Sequence, residues 1–424
     1  MPDNTPTKRD AGLKALLLSV ENLRFSYDPE SIRGRENNFT LSIPRLDLYT
    51  GELVGIIGPN GSGKTTLLKL LAGLLLPQEG TLRFNGHPFP NGMVATINSR
   101  SHLLVYHRQI GFIPQRVVLY NRSVSENVSL GLKIRGYPEE AIKQMTGEIL
   151  ARLKIAHLSG RRALTVSGGE ARRIMLARAL VIKPQILFLD EPFSDLDRQV
   201  KTEIQQDLSA LLRQSGCTAL LVTHNYDEAY QVAERFIVLM NGQVVQDGNA
   251  GEVFGAPRQP EIAAIVGIRN IFPAVVAETE ADMVRLSLKA CSDPALAGES
   301  KGVNFWAVGK SAPGGKVVAY VLPETIVISA RSGGAPVCRA NLTASELAQA
   351  GGTGRPESTS ARNSLDATVK TITPGQHFAW VDLDIAGLNI TACVTHQSIY
   401  SLGLAPGKAV TVLIKATAVK FIER

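Results

Sequence analysis

The sequence GPNGSGKTT occupies residues 58–66, between an apolar run at residues 53–57 and leucines that recur at helical spacing from Leu67 onward. Its members are Gly58, Pro59, Asn60, Gly61, Ser62, Gly63, Lys64, Thr65 and Thr66. Glycines let backbone N–H groups close around a polyphosphate, and a helix N-terminus adds partial positive charge. The order of strand, glycine-rich turn and helix therefore predicts a phosphate-binding P-loop. The alternative for this stretch alone is a glycine turn before an ordinary helix, with a solvated lysine.

Four side chains in and around the loop have predicted roles. Lys64 is expected to reach the β- and γ-phosphates of a nucleotide, and Thr65 to hold Mg²⁺. Tyr27, in a predicted strand at residues 17–27, either stacks on an adenine ring or is ordinary packing. Gln115 follows an apolar strand pattern and a proline. It either senses Mg²⁺ or a partner, or is a solvated loop residue.

Two carboxylates close a continuous apolar run at residues 186–189. Such a run predicts a strand buried on both faces, whose following acids emerge at the ligand-binding carboxyl edge of a parallel sheet. Asp190 is expected to bind Mg²⁺, directly or through water, and Glu191 to orient or deprotonate the attacking water. His224 ends another apolar run of the same predicted sheet. It is expected to contact a γ-phosphate, with a structural role as the alternative.

The sequence VSGGE at residues 166–170 opens a predicted helix. Ser167 and Glu170 have the spacing of a capping box, which by itself explains both residues. Gly168 and Gly169 need a different explanation, because glycine costs entropy at a helix start unless something approaches the backbone closely. A phosphate group is the predicted ligand of this loop.

Length and composition define the broad class. The chain has 424 residues, which predicts two or three domains, and 44% hydrophobic residues, which fits a soluble globular protein. The net charge of +7 arises from 45 Lys and Arg against 38 Asp and Glu. These charges are dispersed, and no basic tract predicts nucleic-acid binding.

The cysteines and the apolar stretches indicate the compartment. Cys217, Cys291, Cys338 and Cys393 stand far apart, so the sequence predicts reduced thiols in a cytosolic protein rather than a zinc site or disulfides. No apolar stretch approaches the ~18 residues that span a bilayer, so contact with a membrane requires a partner. Residues 1–15 are predicted to be a flexible tail.

The motifs of residues 16–267 occur in an order that resembles the nucleotide-binding subunit of an ATP-binding-cassette (ABC) transporter. The resemblance implies that residues 58–66 are the Walker A loop and that Tyr27 stacks on adenine. It identifies Gln115 as the Q-loop residue that couples to a membrane subunit. ATP and Mg²⁺ are the implied ligands, and hydrolysis of ATP to ADP and phosphate is the implied reaction.

The remaining motifs extend this resemblance and imply a dimer. Residues 167–169 correspond to the signature loop, residues 190–191 to Walker B, Asp195 to the D-loop and His224 to the switch histidine. In the family the signature loop completes the ATP site of a second subunit. A second copy of this chain is therefore the expected partner, arranged head to tail around two ATP molecules. Residues 166 and 170 depart from the family, which more often has Leu and Gln there.

The fold class follows from these elements and from the strand patterns beyond Gly267. An α/β P-loop ATPase, with a mixed sheet, an antiparallel β subdomain and a helical subdomain, is expected to precede an all-β small barrel. The predicted domains are a flexible tail at residues 1–15, an ABC nucleotide-binding domain at 16–267, a first β segment of a regulatory region at 268–330, a Gly/Ser/Ala-rich linker at 331–357 and a Mop/TOBE-like domain at 358–424. Alternating residues at 381–385 predict one face of this barrel in water.

Residues 358–424 resemble the Mop domain, a molybdate-binding β-barrel module. The resemblance rests on Ser360-Ala361-Arg362-Asn363, Thr395-His396-Gln397-Ser398, Leu402-Gly403-Leu404 and Ile414-Lys415-Ala416-Thr417. The predicted oxyanion site comprises Ser360, Ala361, Arg362, Asn363, Ser398 and Lys415. Their N–H, hydroxyl and ammonium donors suit a tetrahedral dianion. The alternative is a barrel kept for dimer contacts, and Ala418 stands where relatives often carry a hydroxyl.

The sequence thus predicts the ATPase subunit of an importer for molybdate or tungstate, with sulfate ranked lower. Its expected partners are a transmembrane permease and, indirectly, an external solute-binding protein, with no nucleic acid. Its expected place is the cytoplasmic face of the cell membrane, as a peripheral subunit. The barrel is a candidate sensor of cytosolic molybdate or tungstate. The alternatives are an importer of iron(III), polyamine or sugar, and a non-transport ABC ATPase of repair or translation.

Overall fold

The computed structural model describes residues 14–28, 39–88, 103–288, 303–330, 361–375 and 378–423. The chain divides into two compact units between Val253 and Phe254. Residues 1–13 of the predicted tail, the predicted linker and Ser360 lie outside the described residues.

The first unit begins with an antiparallel sheet of four strands in the order β2-β1-β4-β5. Its strands are β1 (Leu16–Phe25), β2 (Leu41–Tyr49), β4 (Glu79–Phe84) and β5 (His87–Pro88). The antiparallel pairing of β1 with β2 fits the antiparallel β subdomain that the sequence predicts. Pro44 lies on the edge strand β2, where its missing N–H removes no hydrogen bond from the interior of the sheet.

A mixed sheet of six strands, in the order β10-β9-β3-β8-β7-β6, forms the centre of this unit. Its strands are β3 (Leu53–Ile57), β6 (Ile110–Ile113), β7 (Ile186–Asp190), β8 (Thr218–Val222), β9 (Arg235–Met240) and β10 (Gln243–Asn249). All neighbours are parallel except β9 and β10. Every residue of β3, β7 and β8 is buried, which explains their continuous apolar runs. The carboxyl ends of β3, β6, β7 and β8 therefore meet at one edge.

Helices pack around this sheet. They are α1 (Lys64–Leu71), α2 (Val124–Ile134), α3 (Glu139–Arg152), α4 (Gly168–Leu180), α5 (Arg198–Ser215), α6 (Tyr226–Val232) and α7 (Ala250–Phe254). Helices α2, α3 and α4 share one hydrophobic core with α5, which confirms the predicted helical subdomain. Helix α5 ends at Gly216, whose φ of +63° is the left-handed conformation that glycine adopts without strain.

The described part of the second unit contains two five-stranded antiparallel sheets and the short helices α8 (Pro260–Ile265) and α9 (His396–Leu402). One sheet has the order β13-β12-β11-β14-β20 and the other β15-β19-β16-β17-β18. The strands are β11 (Asn270–Glu280), β12 (Met283–Leu288), β13 (Val303–Val308), β14 (Lys316–Val321), β15 (Val327–Ala330), β16 (Asn363–Pro374), β17 (Phe378–Ile385), β18 (Leu388–Thr395), β19 (Ala409–Ile414) and β20 (Val419–Glu423). Both sheets enclose a single hydrophobic core.

The two sheets exchange strands. Strand β15 belongs to residues 270–330 but pairs with β19 of the sheet formed by residues 361–423. The C-terminal strand β20 pairs in turn with β14, in the sheet formed mainly by residues 270–330. Two buried asparagines at strand starts add further links. Asn270 bonds both backbone groups of Thr391, and Asn363 bonds both backbone groups of Trp306. Residues 270–330 and 361–423 therefore stabilise each other.

Candidate functional site

The P-loop follows β3 directly, and its backbone requires glycine at two positions. Gly58 has a φ of +156°, and a Cβ placed on it would lie 2.1 Å from the carbonyl oxygen of Leu239. Gly63, the N-cap of α1, has a φ of +100°, and its Cβ would lie 2.6 Å from the ring of Phe39. A larger residue at either position would have to displace its neighbours and the loop. The loop is therefore shaped by its glycines, as the sequence predicts.

Buried polar groups line this loop. Lys64 is only 7% exposed, and its Nζ donates to the carbonyl oxygens of Gly58 and Pro59, both at 2.9 Å. Burial lowers the pKa of Lys64, and the carboxylates of Glu191 and Asp190 act in the opposite direction. Ser62 is 2% exposed, and its Oγ has no hydrogen-bond partner among the described residues. A buried ammonium with a third proton to donate and an unpaired hydroxyl fit a phosphate ligand.

Thr65 and Asp190 join the P-loop to the end of β7. The Thr65 hydroxyl donates to Oδ1 of Asp190 at 2.8 Å. Asp190 is buried, and this burial raises the pKa of its carboxyl group while the hydrogen bond from Thr65 lowers it. A hydroxyl and a carboxylate side by side are oxygen ligands of the kind that Mg²⁺ prefers. The residues predicted to hold Mg²⁺ on the P-loop and on β7 thus lie in contact.

Glu191 and His224 form a second contact at the same edge. Nδ1 of His224 lies 2.9 and 2.8 Å from the two carboxylate oxygens of Glu191. The Glu191 backbone is in the left-handed region, with a φ of +45°, and its N–H donates to the carbonyl of Val222. The sequence predicts a phosphate contact for His224. The structure adds a role that the sequence did not predict, because this histidine holds the side chain of Glu191.

Tyr27 lies beside the P-loop helix with an exposed ring. Its hydroxyl hydrogen-bonds Oγ1 of Thr66 at 3.3 Å, and Phe25 packs edge-on against it with ring centroids 5.1 Å apart. The residue is nevertheless 63% exposed. An aromatic ring held at its edge and hydroxyl, with much of its surface in water, is suited to stacking on a base.

Gln115 follows β6 at the same edge of the sheet, and its side chain is exposed. Its backbone carbonyl accepts two hydrogen bonds, from Nη1 and Nη2 of Arg172, both at 3.1 Å. Sequence reasoning missed Arg172. An arginine in a helix is normally solvated, and no local pattern marks it as buried.

The signature loop begins α4, and its predicted capping box is confirmed. The Ser167 Oγ accepts from the N–H of Glu170, and the Glu170 carboxylate accepts from the N–H of Ser167 at 2.7 Å. Hydrogen bonds from the Ser167 N–H and the Ser167 hydroxyl to the Glu170 carboxylate lower the pKa of that carboxyl. Gly168 is exposed, whereas a Cβ on Gly169 would lie 2.7 Å from the side chain of Val200. Glu170 therefore completes the capping box at the start of α4, although the family more often has Gln at this position.

Asp195, the predicted D-loop residue, is exposed and has a left-handed φ of +60°. It follows Walker B by four residues and precedes α5. The structure thus brings residues 58–66, 190–191 and 224 into one contact network. Hydrogen bonds of the Ser167 side chain join it to Glu170 within the capping box.

Three of the predicted oxyanion residues, Arg362, Asn363 and Ser398, have protein contacts of their own. The Arg362 guanidinium lies 4.9 Å from the centre of the Trp306 ring, and Asn363 is buried against the same residue. Ser398, also buried, shares a hydrogen bond of 2.7 Å with Thr395. Lys415 is exposed at the N-terminus of a short 3₁₀ turn, Ala361 is half-buried, and the remaining predicted residue, at position 360, lies outside the described ranges.

Comparisons with known proteins agree with this geometry. The sequence pattern "ABC transporter" matches residues 41–194, and that of the TOBE domain matches residues 359–421. The molybdate/tungstate import ATP-binding protein WtpC of Pyrococcus abyssi is 32% identical over 394 residues, 92% of this chain and 98% of that protein. The chain belongs to the ABC transporter family.

Two further similarities extend this result. The sulfate/thiosulfate import ATP-binding protein CysA of Xylella fastidiosa strain Temecula1 is 34% identical over 310 residues, 72% of this ABC subunit and 81% of CysA. The solved structure of cbiO1 from Clostridium perfringens, part of the ABC transporter complex cbiONQ, is 28% identical with a TM-score of 0.51. It covers 60% of this chain and 96% of its own. The ABC ATPase fold with a C-terminal all-β TOBE domain is thereby confirmed.

This ABC subunit is an ATPase whose ATP hydrolysis is coupled to transport. Mg²⁺ bound with ATP supplies positive charge that neutralises the phosphate oxygens. Lys64 adds an ammonium to the same region, and Thr65 with Asp190 offers oxygen ligands for the metal ion. Glu191, whose carboxylate contacts His224, would be able to orient an attacking water or take its proton. No helix within the described ranges is long and apolar enough to cross a membrane.

Proposed function

We propose that this chain is the ATP-hydrolysing subunit of an importer for an oxyanion of the molybdate or tungstate kind. The observation that carries the proposal is the extent of the match to WtpC, which includes 98% of that relative and the C-terminal β unit of this chain. The match to CysA covers only 72% of this chain. Similarity over nearly the whole chain, rather than over the ATP-binding motifs alone, supports the same class of transported solute. Sulfate, a tetrahedral dianion as well, is the second candidate.

The proposed partners are a membrane permease and a second copy of this chain. The signature loop presents the exposed backbone of Gly168, and the hydrogen bonds of Ser167 lie within α4. A head-to-tail dimer would place this loop against the triphosphate held by the partner's P-loop. Ser167→Arg inserts a long cation into that contact and should abolish ATP turnover while ATP binding by one chain persists. Turnover that survives this substitution in the assembled transporter would contradict the composite site.

The C-terminal unit is proposed to bind molybdate or tungstate as a regulatory ligand. Lys415 is the suitable residue to test, because it is exposed and its removal leaves the packing of Asn363 and Arg362 intact. The experiment is calorimetric titration of the full chain with tungstate, molybdate, sulfate and phosphate. The isolated segment 358–424 is unsuitable, because it lacks strand β15 and leaves β20 without its partner β14.

Saturable binding of molybdate and tungstate, lost in Lys415→Ala and kept in Lys420→Ala, is the expected result. Lys420 is the matched control because it is also an exposed lysine of the same unit. ATPase rates of the full transporter should then change with oxyanion concentration. If none of the four anions binds, the C-terminal unit serves dimer contacts instead, and the ATPase assignment is unaffected.

A further inference from the structure

Arg172 is a buried arginine of α4 that contacts the backbone of the Q-loop. The residue is 2% exposed, and both terminal nitrogens donate to the Gln115 carbonyl at 3.1 Å. Nη1 also lies 3.5 Å from the carbonyl oxygen of Pro114. Charged donors make stronger hydrogen bonds than neutral ones, and a planar guanidinium adds geometric specificity. The Gln115 peptide is therefore fastened to the helix that the signature loop begins.

The register of the central sheet places Gln115 and Glu191 just past the carboxyl ends of two adjacent strands. Ile113 of β6 pairs with Leu189 of β7 in parallel. Gln115 and Glu191 each follow this pair by two residues, so they occupy neighbouring positions at the carboxyl edge. The Gln115 side chain is exposed, so packing does not fix its position. Its position therefore depends on the backbone of Gln115, which Arg172 holds.

The guanidinium of Arg172 is also within the electrostatic reach of the D-loop. Burial lowers the pKa of Arg172, and the carboxylate of Asp195 opposes this effect. The Nε–H group is buried, with no hydrogen-bond partner among the residues that the structure describes. A buried charge with one donor unsatisfied is costly, and such costs are typical of functional positions.

We infer that Arg172 is a positioning residue that couples the Q-loop to the signature helix during ATP turnover. When α4 moves relative to the central sheet, the Gln115 peptide moves with it. The Gln115 side chain, which lies at the same sheet edge as Glu191, then moves too. Arg172 acts only through these groups. The inference rests on the ATPase activity of the chain and is independent of the solute that the transporter carries.

The test is Arg172→Met in the full chain. The kcat for ATP hydrolysis should fall by about 10- to 100-fold, because the bonds lost are made by a charged donor. The KM for ATP should stay within about threefold, since the P-loop is unchanged. Arg172→Lys should recover part of the rate, because an ammonium offers a single charged donor to the same carbonyl. Amide hydrogen exchange should accelerate in residues 115–119.

Arg173→Met is the matched control. Arg173 is the next residue, is also buried, and donates to the Leu153 carbonyl at 3.2 Å while pairing with Asp207. Its contacts stabilise the helical subdomain, so this variant should lower the melting temperature while kcat stays within about threefold. Equal losses of kcat and melting temperature in both variants would overturn the inference.

A double variant separates positioning from general damage. If Arg172 acts through Gln115, Arg172→Met combined with Gln115→Ala should be no slower than the slower single variant. Additive losses would overturn the inference, as would unchanged hydrogen exchange in residues 115–119 of Arg172→Met. The hydrogen-exchange measurement needs no ATP, so it tests whether Arg172 holds the Q-loop independently of ATPase activity. A wild-type chain that hydrolysed ATP no faster than Glu191→Gln would contradict the ATPase assignment and not this inference.

Discussion

Replacement of His224 by alanine removes the side chain that holds Glu191. The backbone of Glu191 is fixed by its left-handed φ and by the hydrogen bond from its N–H to Val222. The direction of its carboxylate depends on the two contacts of 2.9 and 2.8 Å with Nδ1 of His224. His224→Ala should therefore leave Glu191 at the site but allow its side chain to rotate away from the attacking water.

The magnitude follows from the contact that is lost. A hydrogen bond to a charged group contributes about 1.5–3 kcal/mol, which corresponds to about 10- to 150-fold in rate. The His224 side chain is 56% exposed, so solvent screening favours the lower end, a fall in kcat of about 10-fold. The KM for ATP should change by less than about threefold, because Lys64, Ser62 and Tyr27 remain.

The assay is steady-state phosphate release by the full chain over a range of Mg–ATP concentrations. Glu191→Gln supplies the reference, and the double variant His224→Ala with Glu191→Gln should be no slower than Glu191→Gln alone. A kcat of His224→Ala equal to that of the wild type would refute the role of this contact. A rise in KM with unchanged kcat would instead indicate that His224 binds the nucleotide without orienting Glu191.

Three further predictions concern the P-loop, Walker B and the C-terminal unit. Gly58→Ala should weaken ATP binding by more than about 10-fold in a nucleotide titration, because its Cβ would overlap the Leu239 carbonyl. Gly147→Ala is the control, since this helix position has nothing within 4 Å of an added Cβ. Asp190→Asn should raise the melting temperature of the nucleotide-free chain while abolishing its stabilisation by Mg–ATP. Burial raises the folded-state pKa of Asp190, so the folded chain favours the protonated carboxyl. The stability that this preference contributes is complete below the unfolded pKa of about 4 and is lost as pH rises through the folded pKa. The gain from Asp190→Asn should therefore grow from pH 4 toward pH 7, and a gain that did not depend on pH would contradict this explanation. Truncation after Ala330 should unfold residues 270–330, because β14 loses β20 and β15 loses β19; a protease-resistant fragment of that length would contradict the exchange of strands.

The sequence predicts best those features that depend on a few neighbouring residues. The P-loop, the capping box of Ser167 and the buried strands β3 and β7 each have a local signature, and the structure places them as expected. An apolar run long enough for a central strand leaves little choice of fold once a P-loop follows it. The carboxyl edge that collects Asp190, Glu191 and His224 follows from the same logic.

The features that the sequence does not predict depend on distant partners. The exchange of strands between the two C-terminal sheets is not predicted from the sequence, because the pairing of β20 with β14 joins residues about a hundred positions apart. Arg172 was missed because a charged residue in a helix is expected in solvent, and its burial is set by the Q-loop packed against it. The contact between Glu191 and His224 likewise needs the folded sheet edge.

The most direct test of the proposed function is solute uptake by cells that lack this gene and are complemented with either the wild-type chain or Glu191→Gln. The measured quantities are cellular molybdenum and tungsten, with sulfate and putrescine uptake in parallel. The wild-type chain should restore molybdate and tungstate uptake, Glu191→Gln should not, and the other two solutes should be unaffected. Molybdate and tungstate uptake that is independent of the gene, or a loss confined to sulfate or putrescine, would contradict the proposal.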